Sequence, residues 1–294
     1  MGRDQVADAQ EMYDERSAKY DDSFHPRFAR HMAELAKIQP GEHVLDLACG
    51  TGLLSYDASA AVGASGSVIG VDISSGMLAE AEAKRSRHGV QNVSFYKHSI
   101  TELGSLDAVK SEKFDLITCC SALVLLEDAG QAIKHWTSYL KPGGRLIVDA
   151  THPNNLITWL VFERLGNILQ RPIPVYRLPF KKAEDLQSIM EEAGLHSVDV
   201  KLLSQQKIEG TEKLENYIRP SVSDPKVQEE YDIADADQFF DQIIDRTAMK
   251  SLASPQDVRE KARRLFREEW AKVANAQGKV QWIDGVFVGI GWKG

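Results

Sequence analysis

The stretch His43-Val44-Leu45-Asp46-Leu47-Ala48-Cys49-Gly50-Thr51-Gly52 constrains the fold more than any other part of the chain. An apolar run of strand character ends in Gly-x-Gly, and a helical pattern begins directly after it. A strand, a glycine turn and a helix in that order bring backbone N–H groups and the positive end of a helix close to a ligand. Glycine is needed because a Cβ would obstruct both the turn and the ligand's approach. A dinucleotide fingerprint requires a third glycine three residues past Gly52, and Ser55 stands there. Asp46, inside the strand, is also foreign to that fingerprint. Twenty residues past Gly52, a second apolar strand, Ser67-Val68-Ile69-Gly70-Val71-Asp72, ends in a carboxylate. A carboxylate there can accept hydrogen bonds from both hydroxyls of a ribose.

Strand and helix patterns alternate from about residue 43 to 204. Strands are expected near 43–48, 67–72, 92–97, 114–120, 145–150 and 196–203, and helices near 53–62, 75–88, 129–140 and 182–193. Such alternation predicts a parallel sheet covered on both faces. Lys141-Pro142-Gly143-Gly144 reads as a turn before a strand. Residues 205–280 do not fit the sheet and read as helices. Thr211 would cap one that ends before Pro220, and Ser254-Pro255 would open another. In the latter, Val258, Ala262, Leu265, Phe266, Trp270 and Val273 form an apolar stripe of helical spacing, with Gly278 as a stop. The run Val280 to Trp292 is rich in strand formers.

Composition narrows the function classes. With 43 Asp and Glu against 35 Lys and Arg, the chain carries a net charge of −8, which argues against a nucleic-acid-binding surface. The longest apolar run, Leu156 to Phe162, is far too short to span a bilayer, and Met1 to Val6 shows no apolar signal region. Cys49, Cys119 and Cys120 make neither a disulfide framework nor a zinc pattern, so no metal is expected and a reducing cytoplasm is the expected compartment.

The acidic Asp46 four positions before Gly50, followed by Ala48-Cys49-Gly50-Thr51-Gly52, resembles the first motif of class I S-adenosylmethionine-dependent methyltransferases. Asp72-Ile73-Ser74-Ser75-Gly76-Met77 resembles their second, in which a Met packs on the adenine. Lys141-Pro142-Gly143-Gly144 is similar to the turn before their fifth strand. The resemblance implies an α/β, Rossmann-like, doubly wound sheet of seven strands in the order 3-2-1-4-5-7-6, with the last strand antiparallel. It divides the chain into an N-terminal helical cap (1–40), a cofactor-binding core (41–204), a helical lid (205–280) and a final core strand (281–294). The cofactor it implies is S-adenosyl-L-methionine, with S-adenosyl-L-homocysteine as product.

The resemblance also implies binding residues. Asp46, Ala48, Gly50 and Gly52 come from the first motif, and Asp72, Ile73 and Met77 from the second. Tyr13 and Tyr20, seven residues apart on one helical face, match a helix that closes over the methionine end of the cofactor. After the third strand the family often carries Gly-Asp-Ala. Here His98 and Ser99 replace the Gly and Asp, so the Ser99 hydroxyl and the Ile100 N–H are left for the adenine. Cys119 and Ser121, after the fourth strand, are expected along the methionine part. The Asn/Asp-Pro-Pro-aromatic motif of enzymes that methylate nucleobases or protein amides is absent there.

Methyl transfer from a sulfonium is an in-line displacement and asks the protein mainly for alignment, exclusion of water and a nucleophilic acceptor. No nucleophile triad is needed and none is seen. His152, after the fifth strand, is the candidate base for a hydroxyl or thiol. Trp159, Tyr176, Tyr217, Phe239 and Phe240 are candidate walls for a small-molecule acceptor, with O or S as the expected atom and no nucleic-acid or membrane partner. The long insertion and the segment 151–180 resemble the layout of fungal and microbial secondary-metabolite methyltransferases. Two alternatives stay open. One is a non-catalytic regulatory protein on the same fold, against which the intact Gly50, Gly52 and Asp72 set speaks. The other is an NAD-dependent oxidoreductase, against which Ser55, Asp46 and the reversed last strand speak.

Overall fold

The computed structural model describes residues 5–173, 180, 182–204, 213–219 and 228–294. In chain order the elements are α1 (Gln5–Arg16), α2 (His25–Ala36), β1 (His43–Leu47), α3 (Leu53–Val62), β2 (Ser67–Asp72), α4 (Ser75–His88), β3 (Val93–Lys97), β4 (Phe114–Cys119), α5 (Ala129–Thr137), β5 (Leu140–Thr151), α6 (Ile157–Ile168), α7 (Ala183–Glu192), β6 (Leu195–Leu203), β7 (Ile218–Arg219), β8 (Gln228–Asp232), α8 (Ala236–Ile243), α9 (Lys250–Ala253), α10 (Gln256–Lys272), β9 (Lys279–Ile283) and β10 (Val286–Lys293).

The main sheet has the order β3-β2-β1-β4-β5-β10-β6-β7. Strands β3, β2, β1, β4 and β5 run parallel, and β10 lies antiparallel between β5 and β6. This is the expected 3-2-1-4-5-7-6 arrangement, extended by the two-residue edge strand β7. The apolar strand runs arise because both faces are covered. Leu45, Leu47, Ile117, Cys119, Leu146 and Val148 pack with Ile133, Trp136, Leu186 and Met190 of α5 and α7. Their neighbours Val44, Leu116 and Ile147 point the other way, onto Phe28, Met32, Leu54, Ala58 and Val62 of α2 and α3. Local chemistry sets the helix starts. Ser74 Oγ accepts the Met77 N–H at the head of α4, and Asp128 accepts the Gln131 N–H at the head of α5.

Three expectations need correction. The run from Val280 to Trp292 is not one strand. Its first part, β9, pairs with β8 in a separate two-stranded sheet, and only β10 enters the main sheet. The break falls at Asp284-Gly285, where a Cβ on Gly285 would stand 2.7 Å from Leu202 Cδ1 and push the tip of that side chain aside. The segment 205–280 is likewise not all helix. It contains β8, and Leu214–Asn216 is a short 3-10 turn leading into β7, which hydrogen-bonds to the edge of β6. Thr211 and Pro220 lie outside the described residues. Gly278 does not end α10. It sits at φ +73° in the turn between α10 and β9.

Helices α6, α8 and α10 enclose a third core of Phe162, Phe240, Phe266, Trp270 and Val280. Arg259, Arg263 and Arg267 of α10 form ion pairs with Asp245, Asp241 and Asp237 along its outer side. The insertion is built from two stretches of chain, one between β5 and α7 and one between β7 and β10. Among the described residues, no helix is long and apolar enough to cross a membrane.

Candidate active site

An open cleft of about 780 Å³, solvent at its mouth included, lies at the carboxyl edge of the parallel strands. The turn after β1 supplies Ala48 and Gly50, the end of β2, the turn after it and the head of α4 supply Asp72, Ile73 and Met77, and the turn after β3 supplies Ser99 and Ile100. The turn after β4 contributes Ser121, and Tyr13 and Tyr20 close the cleft from the N-terminal side. A second cavity of about 360 Å³ adjoins it, sharing Tyr20, Ala48, Gly50, Cys120 and Ser121 and adding His25, Phe28, Asp46, Leu53 and Leu54.

The glycine turn is shaped by its backbone. Gly50 and Gly52 have φ of +56° and +81°, values that favour glycine. A Cβ on Gly50 would stand 4.0 Å from both Met77 Sδ and Tyr20 Cε1, in the mouth of the cleft. Gly52 does different work. It lines neither cavity, and its Cβ would strike Tyr56 and Phe95 at 2.9 and 3.0 Å, so it permits close packing of α3 on β3. Asp72 is 7% exposed. Its two carboxylate oxygens accept the N–H groups of Gly50 and Ser74, each at 2.8 Å. Burial pushes its carboxyl above the usual range.

Asp46 serves the frame beneath the site. Buried at 1% exposure, it accepts Ser55 Oγ at 2.5 Å and Thr118 Oγ1 at 2.7 Å, tying α3 and β4 to β1. Ser55, which occupies the place of a third glycine, is therefore a partner of Asp46. Burial pushes the Asp46 carboxyl up to about 6.

The N-terminal cover is pinned at two places. Asp14 Oδ1 accepts Ser74 Oγ at 2.5 Å and the Gly76 N–H at 2.8 Å, and the Ser74 bond holds its carboxyl below the usual range. Asp21 accepts Thr51 Oγ1 at 2.6 Å and pairs with Lys84. Tyr13 and Tyr20 meet edge to face at 6.3 Å, with the Arg16 guanidinium over both rings. Loss of the first pin in Asp14→Ala should speed amide hydrogen exchange severalfold across residues 10–22, and S-adenosyl-L-homocysteine should slow it in the parent chain. Full protection in both proteins with and without ligand would show a cover that does not open.

Residues 38–208 match the family described as a methyltransferase domain. The chain is a class I S-adenosylmethionine-dependent methyltransferase. It is 32% identical over 200 residues to a demethylmenaquinone methyltransferase from Lactococcus lactis, covering 62% of this chain and 75% of that one. A ubiquinone/menaquinone biosynthesis C-methyltransferase from Proteus mirabilis is also 32% identical, over 59% of this chain and 74% of the relative. Aklanonic acid methyltransferase from Streptomyces sp. strain C5 is 30% identical over 46% of this chain and 60% of its own length. Among solved structures, the YcgJ protein of Bacillus subtilis shares the fold, with a TM-score of 0.53, 17% identity and coverage of 92% of this chain and 98% of that one. The [4+2]-cyclase SpnF shares it too, at a TM-score of 0.50, 17% identity and coverage of 91% and 81%.

S-adenosyl-L-methionine is the methyltransferase's cofactor, and it supplies a methyl already activated on a sulfonium. The cleft suits it. Gly50 leaves open the space that a side chain would fill, and a buried carboxylate stands at the end of β2. Among the described residues no group of three or more His, Cys, Asp and Glu is arranged to hold a metal.

The structure brings Tyr13, Tyr20, Ala48, Gly50, Asp72, Ile73, Met77, Ser99, Ile100 and Ser121 to one cleft. It does not bring Cys119 there. Side chains alternate along β4, so Cys119 is wholly buried in the core and Cys120 faces both cavities. Ser121 sits at φ +59°, and its N–H is held by Asp149 Oδ1 at 2.5 Å. His152 lines neither cavity. Its Nδ1 accepts the Asn154 N–H at 3.1 Å, its ring packs on Phe287, and burial depresses it to about 4. Phe239 stacks on Trp270 at 4.8 Å, and Phe240 is fully buried against Phe162. Trp159 packs on the same cluster beneath Arg246. Tyr217 is 1% exposed under α2, against His31. Tyr176 lies outside the described residues. Sequence reasoning missed Val6 and Ala9, which share the Tyr13 face at helical spacing, and His25 and Phe28 at the head of α2.

Asp149 gives a pH test of this layer. Burial pushes its carboxyl up to about 7. A carboxyl raised above its unfolded value of 3.8 stabilises the fold below about pH 4, and that contribution is lost as pH rises through about 7. Asp149→Asn keeps an acceptor for the Ser121 N–H and never ionises. Each tenfold difference in proton affinity between the folded and unfolded chain is worth about 1.4 kcal/mol. The parent protein should therefore lose a few kcal/mol between pH 4 and 8 that the variant retains. Chemical denaturation across that range decides it, and parallel stability curves for the two proteins would refute the assignment.

Proposed function

We propose that this methyltransferase acts on a small, largely apolar aromatic acceptor bearing an ionisable hydroxyl, and that the acceptor atom is the ring carbon beside that hydroxyl. The observation that carries the reading is the second cavity. It meets the cofactor cleft at Tyr20, Gly50 and Ser121, and Phe28, Leu53 and Leu54 give it an apolar wall. Small-molecule sites are mostly apolar with a few convergent polar groups. The relatives named as quinone methyltransferases support the acceptor class, and one of them is named a C-methyltransferase.

In this reading Asp72 takes the ribose hydroxyls, Met77 and Ile100 flank the adenine, and Tyr20 with the Gly50 and Ser121 turns encloses the methionine end. Loss of the hydroxyl proton places negative charge on the neighbouring ring carbon. That carbon forms the new C–C bond as the C–S bond breaks, and the ring then sheds its own hydrogen as a proton. The protein's share is alignment and dryness.

Transfer to oxygen or sulfur, in secondary metabolism, is the second reading. The aklanonic acid methyltransferase relative favours an acceptor outside quinone biosynthesis. One experiment separates the readings. The protein is incubated with methyl-labelled S-adenosylmethionine and chemically reduced demethylmenaquinone, and the position of label in the product is read by mass spectrometry. Label on a ring carbon supports the first reading and label on oxygen the second. S-adenosyl-L-homocysteine binding with no labelled product from any hydroxylated aromatic would favour a non-catalytic binding protein, a role the fold also permits.

A further inference from the structure

We propose that His25 is the base that removes the acceptor's hydroxyl proton, and that Ser23 is a positioning residue that fixes its tautomer. The inference rests on the proposed hydroxylated acceptor. His25 opens α2 and lines the second cavity beside Tyr20 and Cys120, where that cavity meets the cofactor cleft. Its ring is held in place. Tyr20 stacks on one side at 4.1 Å and Phe24 packs at 4.2 Å, both within 28° of parallel.

Ser23 is placed to set where the imidazole proton sits. The Ser23 hydroxyl donates to the Tyr20 carbonyl at 2.6 Å. A hydroxyl has a single hydrogen, so once that hydrogen is given to the Tyr20 carbonyl the oxygen can only accept from His25. Ser23 Oγ lies 2.5 Å from His25 Nδ1 and also accepts the His25 backbone N–H at 3.3 Å. In that arrangement Nδ1 carries the hydrogen and Nε2 keeps its lone pair. A base, an orienting group and a group that fixes the orienter form the arrangement a general base needs.

The surroundings keep the ring neutral until an acceptor arrives. Burial is the main cause, and it pushes the imidazole down to about 4. Arg16 of α1 pushes the same way, and Asp21 of the turn before α2 opposes it. Asp46, Cys49 and Cys120 line the same cavity. A phenolate formed against Nε2 supplies the anion that a buried imidazolium otherwise lacks. The step balances: the hydroxyl proton moves to Nε2, the ring carbon takes the methyl as the C–S bond breaks, that carbon then loses its hydrogen as a proton while the oxygen regains one, the Nε2 proton passes to solvent, and S-adenosyl-L-homocysteine leaves neutral at sulfur.

The test uses the full chain with reduced demethylmenaquinone as acceptor. His25→Gln should lower turnover by about 10²–10⁴-fold, with S-adenosyl-L-homocysteine affinity within about twofold of the parent. Its residual kcat/KM should climb tenfold per pH unit between pH 6 and 9, because the acceptor must then ionise in solution, while the parent profile stays flat. Nitrogen-15 correlation spectra of labelled histidine should show His25 protonated at Nδ1 alone, and Ser23→Ala should turn that into a tautomer mixture. Proton on Nε2 in the parent, or a His25→Gln enzyme with parental rate and pH profile, overturns the assignment. A parent that methylates no hydroxylated aromatic defeats the proposed function itself, and this inference with it.

Discussion

Asp72→Ala should weaken S-adenosyl-L-homocysteine binding by about 1.5–3 kcal/mol, the range for hydrogen bonds to a charged group, or roughly ten- to a hundredfold or somewhat more in Kd. The carboxylate closes β2 at the cleft with two of its lone pairs already given to Gly50 and Ser74. Those two bonds aim the carboxylate and also brace the glycine turn. Asp72→Asn is the milder variant, since an amide oxygen can still serve one N–H. Calorimetry on both, beside a check that near-ultraviolet circular dichroism is unchanged, separates ribose recognition from loop support. Folded Asp72→Ala with parental affinity would remove Asp72 from the cofactor's contacts. A pH series adds a sign. Burial holds the Asp72 carboxyl above the usual range, and a protonated carboxyl is a poorer acceptor. Affinity in the parent protein should therefore begin to fall at a higher pH than an ordinary aspartate would impose.

Why that residue could be found from sequence, while others could not, has a physical reason. The β1–turn–α3 unit and the β2 carboxylate are local: strand, glycine and helix follow one another within a few residues, and their geometry is set by backbone sterics. Alternation of strand and helix implied only a parallel sheet covered on both faces, and the strand order came from the family resemblance. Cys119 and Cys120 show the next limit. Both fall at one strand end, and only the phase of the pleat, fixed by packing on α5 and α7, decides which one faces the cleft. Phe239 and Phe240 show a further one. An aromatic at helical spacing reads the same whether it meets a ligand or Phe162 and Trp270, and the choice is made by contacts between distant segments. His25 carried no spacing signal at all. Its role emerges only when the 3-10 turn at Ser17–Asp22 brings the Tyr20 carbonyl to Ser23. The division of the Val280–Trp292 run was hidden for the same reason, since β8, the partner of β9, lies far away in sequence.

Trp270→Ala should cost about 3–5 kcal/mol, the range for removing a large buried aromatic. The side chain is fully buried, stacks on Phe239 at 4.8 Å and Phe266 at 5.8 Å, and donates Nε1–H to the Asp232 carbonyl at 3.2 Å. That last bond ties α10 to the end of β8, so the variant loses packing and also strands a carbonyl. Folded domains have only about 5–15 kcal/mol in hand, so this is a large share. Where the loss appears tells how the insertion is built in. None of the residues lining the cofactor cleft or its neighbour comes from α6, α8 or α10. S-adenosyl-L-homocysteine affinity should therefore survive the substitution while the denaturation midpoint falls. Adding that ligand should raise the stability of the sheet core by mass action. A variant whose insertion melts first, with a core transition that still moves with ligand, marks the insertion as a separately cooperative unit. A single transition that moves as a whole marks one cooperative fold. Stability within about 1 kcal/mol of the parent, the size of an ordinary surface change or a tolerated core swap, would show that the Phe162, Phe240, Phe266 and Trp270 cluster does not hold the insertion together.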